Sequence, residues 1–190
     1  MSSNFTVIYD ACVLYPAPLR DFLMRLAMTD LYRARWTDRI HDEWIRNVLK
    51  QRPDLKQADL KRTRTLMNAH VRDSLVVGFE HLIPMVHLPD VDDRHVVAAA
   101  IHGGASLIVT FNLKDFPFDK LKRYNLTAQH PDDFILDLLD LHPARVCEAA
   151  AKQRRSLKNP PKSADEYLDT LLKQGLTQTV GLLREWKSAL

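Results

Sequence analysis

The chain is short of the residues that staple, span or unravel a protein. It has two cysteines, Cys12 and Cys147, far apart and in no metal-ligand spacing. That argues against a disulfide framework and against a cysteine-built metal site. Both thiols are expected reduced, and buried or half-buried. Glycine (5) and proline (10) are modest in number, and the chain holds no low-complexity stretch and no internal repeat. No apolar run reaches the roughly 18 residues a membrane span requires. The opening "MSSNFTVIYD" lacks a basic leader and a leader-length apolar segment, so it is expected to be the mature start of a cytoplasmic protein. The formal net charge of +3 is too mild to announce a nucleic-acid partner by itself.

What is present is a core. With 46% of 190 residues hydrophobic, the chain can build one ordinary domain and a small appendage. Charge is unevenly placed. From Arg46 to Arg64 there are seven Lys or Arg against two acids, Asp54 and Asp59. A second basic run is "AKQRRSLKNPPK", residues 151–162. Such runs suit either a solvated helix face or a polyanion-binding surface.

Read along the chain, strands and helices alternate. Phe5 to Tyr9 is a short β-like run ending at Asp10. Residues 17–29 carry Leu19, Phe22, Leu23 and Leu26 at helical spacing. "LYRARW", 31–36, reads as a second strand, and Thr37 then suits the N-cap of a helix with Ile40, Trp44 and Val48 on one face. Pro53 ends it, and a long, charged, exposed helix follows. "IPMVHL", 83–88, reads as a third strand. Asp93 to His102 is a helix stopped by Gly103-Gly104, and "ASLIVTF", 105–111, is a continuously apolar and therefore central fourth strand. Pro131 opens a further helix. This pattern predicts an α/β fold, three-layer α/β/α, with a central, mainly parallel sheet of four to five strands. From about residue 143 only helices follow, with Ser163 and Glu166 at capping-box spacing. The expected division is 1–142 for the α/β domain and 143–190 for a helical C-terminal extension.

The acids fall where strands end. Asp10 closes the first strand, and Asp90, Asp92 and Asp93 crowd into four positions before a helix. Asp115 follows "VTFNLK", and Glu43 lies one turn into the helix after the second strand. In a parallel sheet all of these lie at one end, where α/β proteins bind ligands. Carboxylates that close repel unless something positive sits between them. A hard divalent cation with oxygen ligands fills that role, and Mg²⁺ suits a few carboxylates plus a substrate phosphate. Each acid taken alone has a plainer reading. Asp92 or Asp93 suits a helix cap, Asp115 a turn, and Glu43 an exposed helix face. Asp10 is the hardest to explain away, because its apolar neighbours bury it and a buried unpaired carboxylate is costly.

These stretches, taken in order, resemble the PIN-domain ribonucleases, most of all the VapC-like toxins of bacterial toxin–antitoxin pairs. "VIYDACVLYP" looks like the family's opening strand with its first acid, Asp10. "RIHDEWIRNVL" looks like the helix carrying the second, Glu43. "DDRHVVAAAIHGGASLIVTFNLKDF" looks like the third acid, an alanine-rich helix, an apolar strand and a Thr-x-Asn-x-x-Asp-Phe end. The third acid then falls on Asp93, with Asp92 as the alternative. The fourth falls on Asp115, although many members place their acid where this chain has Asn112. The resemblance covers about residues 5–140. The segment 52–75 is longer than in compact toxins, and 143–190 lies outside the common core.

The resemblance implies an endoribonuclease dependent on Mg²⁺ or Mn²⁺. Asp10, Asp93 and Asp115 would hold metal, and Glu43 would hold it through water or orient the attacking water. Thr110, Asn112, Arg46, Lys50 and Arg94 would serve the RNA substrate. It also implies a cognate antitoxin protein and a homo-oligomer; no membrane is expected, because no apolar run is long enough to span one. The leucine-rich tail from 158 is a candidate for groove filling or dimerisation. Histidines 95 and 102 are expected to be structural, and Trp36 and Trp44 core residues. A haloacid-dehalogenase-type phosphatase would need an Asp where Cys12 stands, and a receiver domain an acidic pair where Asn4-Phe5 stands. The alternative from another class is a catalytically weak or inactive module of the same fold that binds RNA or a protein partner.

Overall fold

The computed structural model describes residues 5–190. They form two compact units, one of residues up to 15 together with 32–130, the other of residues 16–31 together with 131–190.

The first unit is built on a four-stranded, wholly parallel sheet in the order β2-β1-β3-β4. Its strands are β1 (Thr6–Tyr9), β2 (Arg33–Arg35), β3 (Leu107–Val109) and β4 (Thr127–Gln129). β1 and β3 are buried along their whole length, as their unbroken apolar sequences require of central parallel strands. A short helix, α1 (Ala11–Leu14), follows β1; α2 (Ala17–Ala27) belongs to the second unit. Next come α3 (Asp38–Gln51), α4 (Gln57–His70), α5 (Arg94–His102) and the short α6 (Phe118–Leu121). Thr37 caps α3 as expected, its side chain accepting from the Ile40 N–H. α5 packs on β1 and β3. Its fully buried Ala98, Ala99 and Ala100 allow the close approach. Gly104 ends that helix at φ +64°, and Ala105 N–H donates to Ala100 O while Gly104 N–H donates to Ile101 O. This is a Schellman ending, in which glycine adopts the left-handed backbone without a Cβ penalty.

The strand expected over 83–88 is not formed. Glu80–Met85 is a 3₁₀ segment with Pro84 inside it. Proline has no N–H to give a sheet ladder, and Met85 stays 66% exposed, so the apolar run never becomes a core strand. The fourth strand of the sheet is instead β4, which the sequence reading did not include. Beyond β2, Trp36 forms a parallel bridge with Leu75 that continues this edge of the sheet.

A ladder of aromatic rings fills the core beside β1. Tyr32 stacks on Phe5 and meets Tyr9 edge-on, Tyr9 stacks on Trp36, and His41 stands edge-on to both Trp36 and Trp44. Trp36 and Trp44 are fully buried core residues, as expected. α4 is the exposed, charged helix foreseen, with only Leu60 and Met67 buried.

The second unit is all helical. It comprises α2 with α7 (Pro131–Leu141), α8 (Pro143–Ser156), α9 (Ala164–Leu172) and α10 (Thr177–Glu185). α2 packs on α8 and α9, α7 on α8 and α10, and α9 on α10. The Ser163–Glu166 capping box starts α9. A carboxylate from α7 serves a second helix start: Asp132 accepts from the N–H groups of Gln178 and Thr179, in the first turn of α10. Both cysteines are free. No helix among the described residues is long and apolar enough to cross a membrane.

Candidate active site

Asp10 follows β1 directly, and its backbone N–H donates to Val109 O on β3. Its side chain is buried, at 4% exposure. Oδ1 accepts from the Ala11 N–H at 2.6 Å; Oδ2 accepts from Thr110 Oγ1 at 2.8 Å and from Cys12 Sγ at 3.1 Å. Burial pushes the carboxyl above its ordinary range, these three donors pull it down, and the charge of Glu43 raises it again. Cys12 is thus a member of the site that sequence reasoning passed over. Its Sγ also accepts from the Phe111 N–H at 3.2 Å. Burial and the adjacent Asp10 charge raise the thiol far enough to keep it a neutral donor.

Asp93 occupies the N-cap position of α5, yet its side chain makes no capping hydrogen bond. Its carboxyl is pushed up to about 7, first by burial and then by the charges of Asp10, Asp90, Asp115 and Glu43. Asp92 is exposed, and its N–H donates to Asp90 Oδ1, which shapes the turn before the helix. Asp115 is half-buried at the end of a 3₁₀ turn, Leu113–Asp115. Asn112 is exposed and meets the site through its backbone N–H, which donates to Thr110 Oγ1 at 3.0 Å.

Glu43 is half-buried on α3. Its Oε1 lies 3.7 Å from Arg39 Nε and 2.9 Å from Nε2 of the fully buried His95. The His95 contact is close in distance, but the ring makes no well-aligned hydrogen bond through either nitrogen. The contact is one of proximity rather than of hydrogen bonding. His95 therefore touches the site, although its sequence position suggested only a structural part. Arg94 is half-buried with its Nε unpaired. Arg46 and Lys50 are exposed on α3, and Arg46 joins Lys61 and Arg64 along a cleft of about 360 Å³ between α3 and α4.

The four acids singled out by spacing therefore share one electrostatic neighbourhood at the carboxyl end of the sheet. Among the described residues no Lys or Arg comes within ion-pair distance of Asp10, Asp93 or Asp115. All-oxygen donors crowded without an organic counter-charge suit a hard divalent cation in their chemistry. Among the described residues, however, no three His, Cys, Asp or Glu side chains stand close enough together to form a ready-made metal site.

Comparison with known proteins agrees with this architecture. The PIN-domain family model matches residues 6–114, which contain β1, β3 and the Asp10, Glu43 and Asp93 positions. The model described as the VapC50 C-terminal domain matches residues 131–185, which lie in the helical unit. A Mycobacterium tuberculosis protein named "Putative ribonuclease VapC50" is 45% identical over 82 residues, 43% of this chain and 48% of that one. The match thus spans about half the length of that relative. No solved structure matches the chain. With a parallel sheet in this order, acids gathered at its carboxyl end, and a family match over more than half its length, the chain belongs to the PIN-domain family.

Proposed function

We propose that the chain is a divalent-metal-dependent endoribonuclease, the toxin of a toxin–antitoxin pair, hydrolysing RNA phosphodiesters. The observation that carries this reading is Asp93. Burial and then four nearby carboxylates press on it and it caps nothing, an arrangement that a proton or a bound cation relieves. Bound Mg²⁺ or Mn²⁺ supplies Lewis acidity and makes an attacking water more acidic. Asp10, Asp93 and Asp115 hold the ion in this reading, with Asp92 as the substitute for Asp93. Thr110, Cys12 and the Ala11 N–H fix the Asp10 carboxylate in one orientation. Glu43, steadied by His95 and Arg39, orients the water or reaches the ion through it. Arg46 and Lys50 meet substrate phosphates from α3, with Arg94 nearer the acids, and Thr110 and Asn112 set the shape of the floor. The protein works in the cytoplasm, forms a homo-oligomer and is silenced by a cognate antitoxin covering the acids.

The test is cleavage of a mixed RNA pool by purified protein with Mg²⁺ or Mn²⁺, with EDTA, and with Asp10→Asn and Asp93→Asn variants that keep the native circular dichroism. Metal-dependent cutting that both variants lose supports the nuclease. One observation favours a second reading, a module that binds RNA or a partner with little catalysis: the acids do not stand ready to chelate. Identical background cutting in every sample, with no divalent-ion binding by calorimetry, would establish that alternative.

A further inference from the structure

A second feature lies on the same unit, beyond the acids. A cleft of about 440 Å³ opens between the 113–118 segment and β4, with apolar walls from Leu113, Phe116, Pro117 and Phe118 and a polar side from Thr127 and Gln129. That is within the size range of small-ligand sites. Phe118 is 66% exposed and Leu113 41% exposed, so the cleft presents apolar surface to water. Exposed apolar patches of this kind commonly mark binding sites. Phe116, by contrast, is buried and forms the firm base of the segment.

The chain on either side of the wall names the occupant. The turn that supplies Leu113 to the wall also carries Asp115, two positions on. The chain flanking Phe118 carries exposed Lys114, Lys120, Lys122 and Arg123, against half-buried Asp115 and exposed Asp119. Lys120 meets Asp119 at 3.3 Å and Arg123 lies over the Tyr124 ring, so the segment keeps an excess of positive charge. An exposed aromatic ring set among cations suits single-stranded nucleic acid. The ring stacks on a base and the cations follow the backbone. A second copy of this chain would bring the same cationic segment against itself.

We infer that this cleft is a nucleobase subsite, which seats an unpaired RNA base with Phe118 as its stacking platform. The inference rests on the ribonuclease reading for the choice of RNA, but not for the binding itself.

The experiment is fluorescence anisotropy in EDTA, which separates binding from cutting. A single-stranded RNA oligonucleotide and its duplex form are titrated with the wild type and with Phe118→Ala, Phe118→Trp and Leu141→Ala. Leu141 is equally exposed, on the helical unit, and controls for loss of general stickiness. Phe118→Ala should weaken single-strand binding by about 10-fold or more, Phe118→Trp should keep it, and the duplex and Leu141→Ala should show no change. Wild-type affinity in Phe118→Ala, or an equal loss for the duplex, overturns the subsite. So does a shift to a smaller oligomer in sedimentation of Phe118→Ala, which would make the face a contact between copies. If Phe118-dependent binding coexists with no metal-dependent cutting, the nuclease reading falls and the subsite stands. If cutting is present and Phe118 is indifferent, the reverse holds.

Discussion

Thr110 Oγ1 donates to Asp10 Oδ2 at 2.8 Å, joining side chains 100 positions apart at the ends of the neighbouring strands β1 and β3. The bond fixes the one fully buried acid of the cluster and closes the floor of the site.

Replacing Thr110 by Val should therefore act at both levels. A buried carboxylate loses a donor, at a cost of about 1 to 3 kcal/mol in unfolding free energy. Thr110→Ser, which keeps the hydroxyl, should recover most of it. Urea unfolding gives the first quantity. Calorimetric titration with Mn²⁺ gives the second, where Thr110→Val should bind at least several-fold more weakly. Equal affinity in Val and Ser variants would mean the bond does not orient the carboxylate for a ligand.

Asp93 is a charge held at a cost. With burial and the charges of Asp10, Asp90, Asp115 and Glu43 acting on a half-buried group that solvent partly screens, Asp93→Asn should make the metal-free protein more stable, by about 1 to 2 kcal/mol at neutral pH. On the metal-dependent reading, a divalent ion should raise the Tm of the wild type by binding only the folded state, and the same change should abolish that rise. Thermal unfolding with EDTA and with Mn²⁺ reads both. A destabilised variant in EDTA would show that the crowding is already relieved by something else.

His41 gives the fold a dependence on pH. Its Nδ1 accepts from Trp44 Nε1 at 3.0 Å, while its Nε2 donates to Asn68 Oδ1 at 3.0 Å. Asn68 Oδ1 also accepts from Trp36 Nε1 at 2.7 Å. A proton on Nδ1 would face a donor, and burial, the larger cause, pushes the ring down to about 4. The unfolded chain, with an ordinary histidine near 6.5, binds that proton sooner. The contribution is thus whole above about pH 6.5 and is lost as pH falls towards 4, by up to roughly 1.4 kcal/mol per unit. Wild type should lose on the order of 1 to 2 kcal/mol between pH 7.5 and 5 through this ring, and His41→Gln should lack that part of the slope. Parallel slopes in both proteins would rule the mechanism out.

Asp132 tests the helical unit by itself. Its two carboxylate oxygens accept from Gln178 and Thr179 N–H at 2.8 and 2.9 Å, satisfying the start of α10 from another helix. Asp132→Ala leaves both donors unpaired and should cost about 2 to 3 kcal/mol. Asp132→Asn, able to accept at one oxygen, should fall between. A loss below about 0.5 kcal/mol in urea unfolding would mean that water replaces the carboxylate.

Much of this was legible in the residues. The unbroken apolar runs of β1 and β3, the Thr37 cap, the Ser163–Glu166 box and the Gly103-Gly104 stop are local signals, and each is found where its chemistry put it. The alternation of strand and helix signalled a parallel sheet, and strand ends signalled where acids would gather. The misreadings have equally local causes. Residues 83–88 hold an apolar run that pattern alone cannot tell from a strand, and Pro84 decided it. β4 reads Thr-Ala-Gln, a three-residue run too short to carry a periodic signal, and exists because β3 lies beside it.

The site divides in the same way. Sequence by itself determined which side chains carry charge, which are apolar, and where the chain must turn, because those follow from residue chemistry over a few positions. It supplied Asp10, Glu43, Asp93 and Asp115 as candidates and could not say what each carboxylate touches. Only the tertiary structure decided that Asp93 leaves its cap unused, that Cys12 and Thr110 hold Asp10, and that His95 rests against Glu43. Those contacts join residues up to 100 positions apart, and burial sets their strength. Distance in space and exclusion of water are properties of the folded packing, which no short stretch of sequence contains.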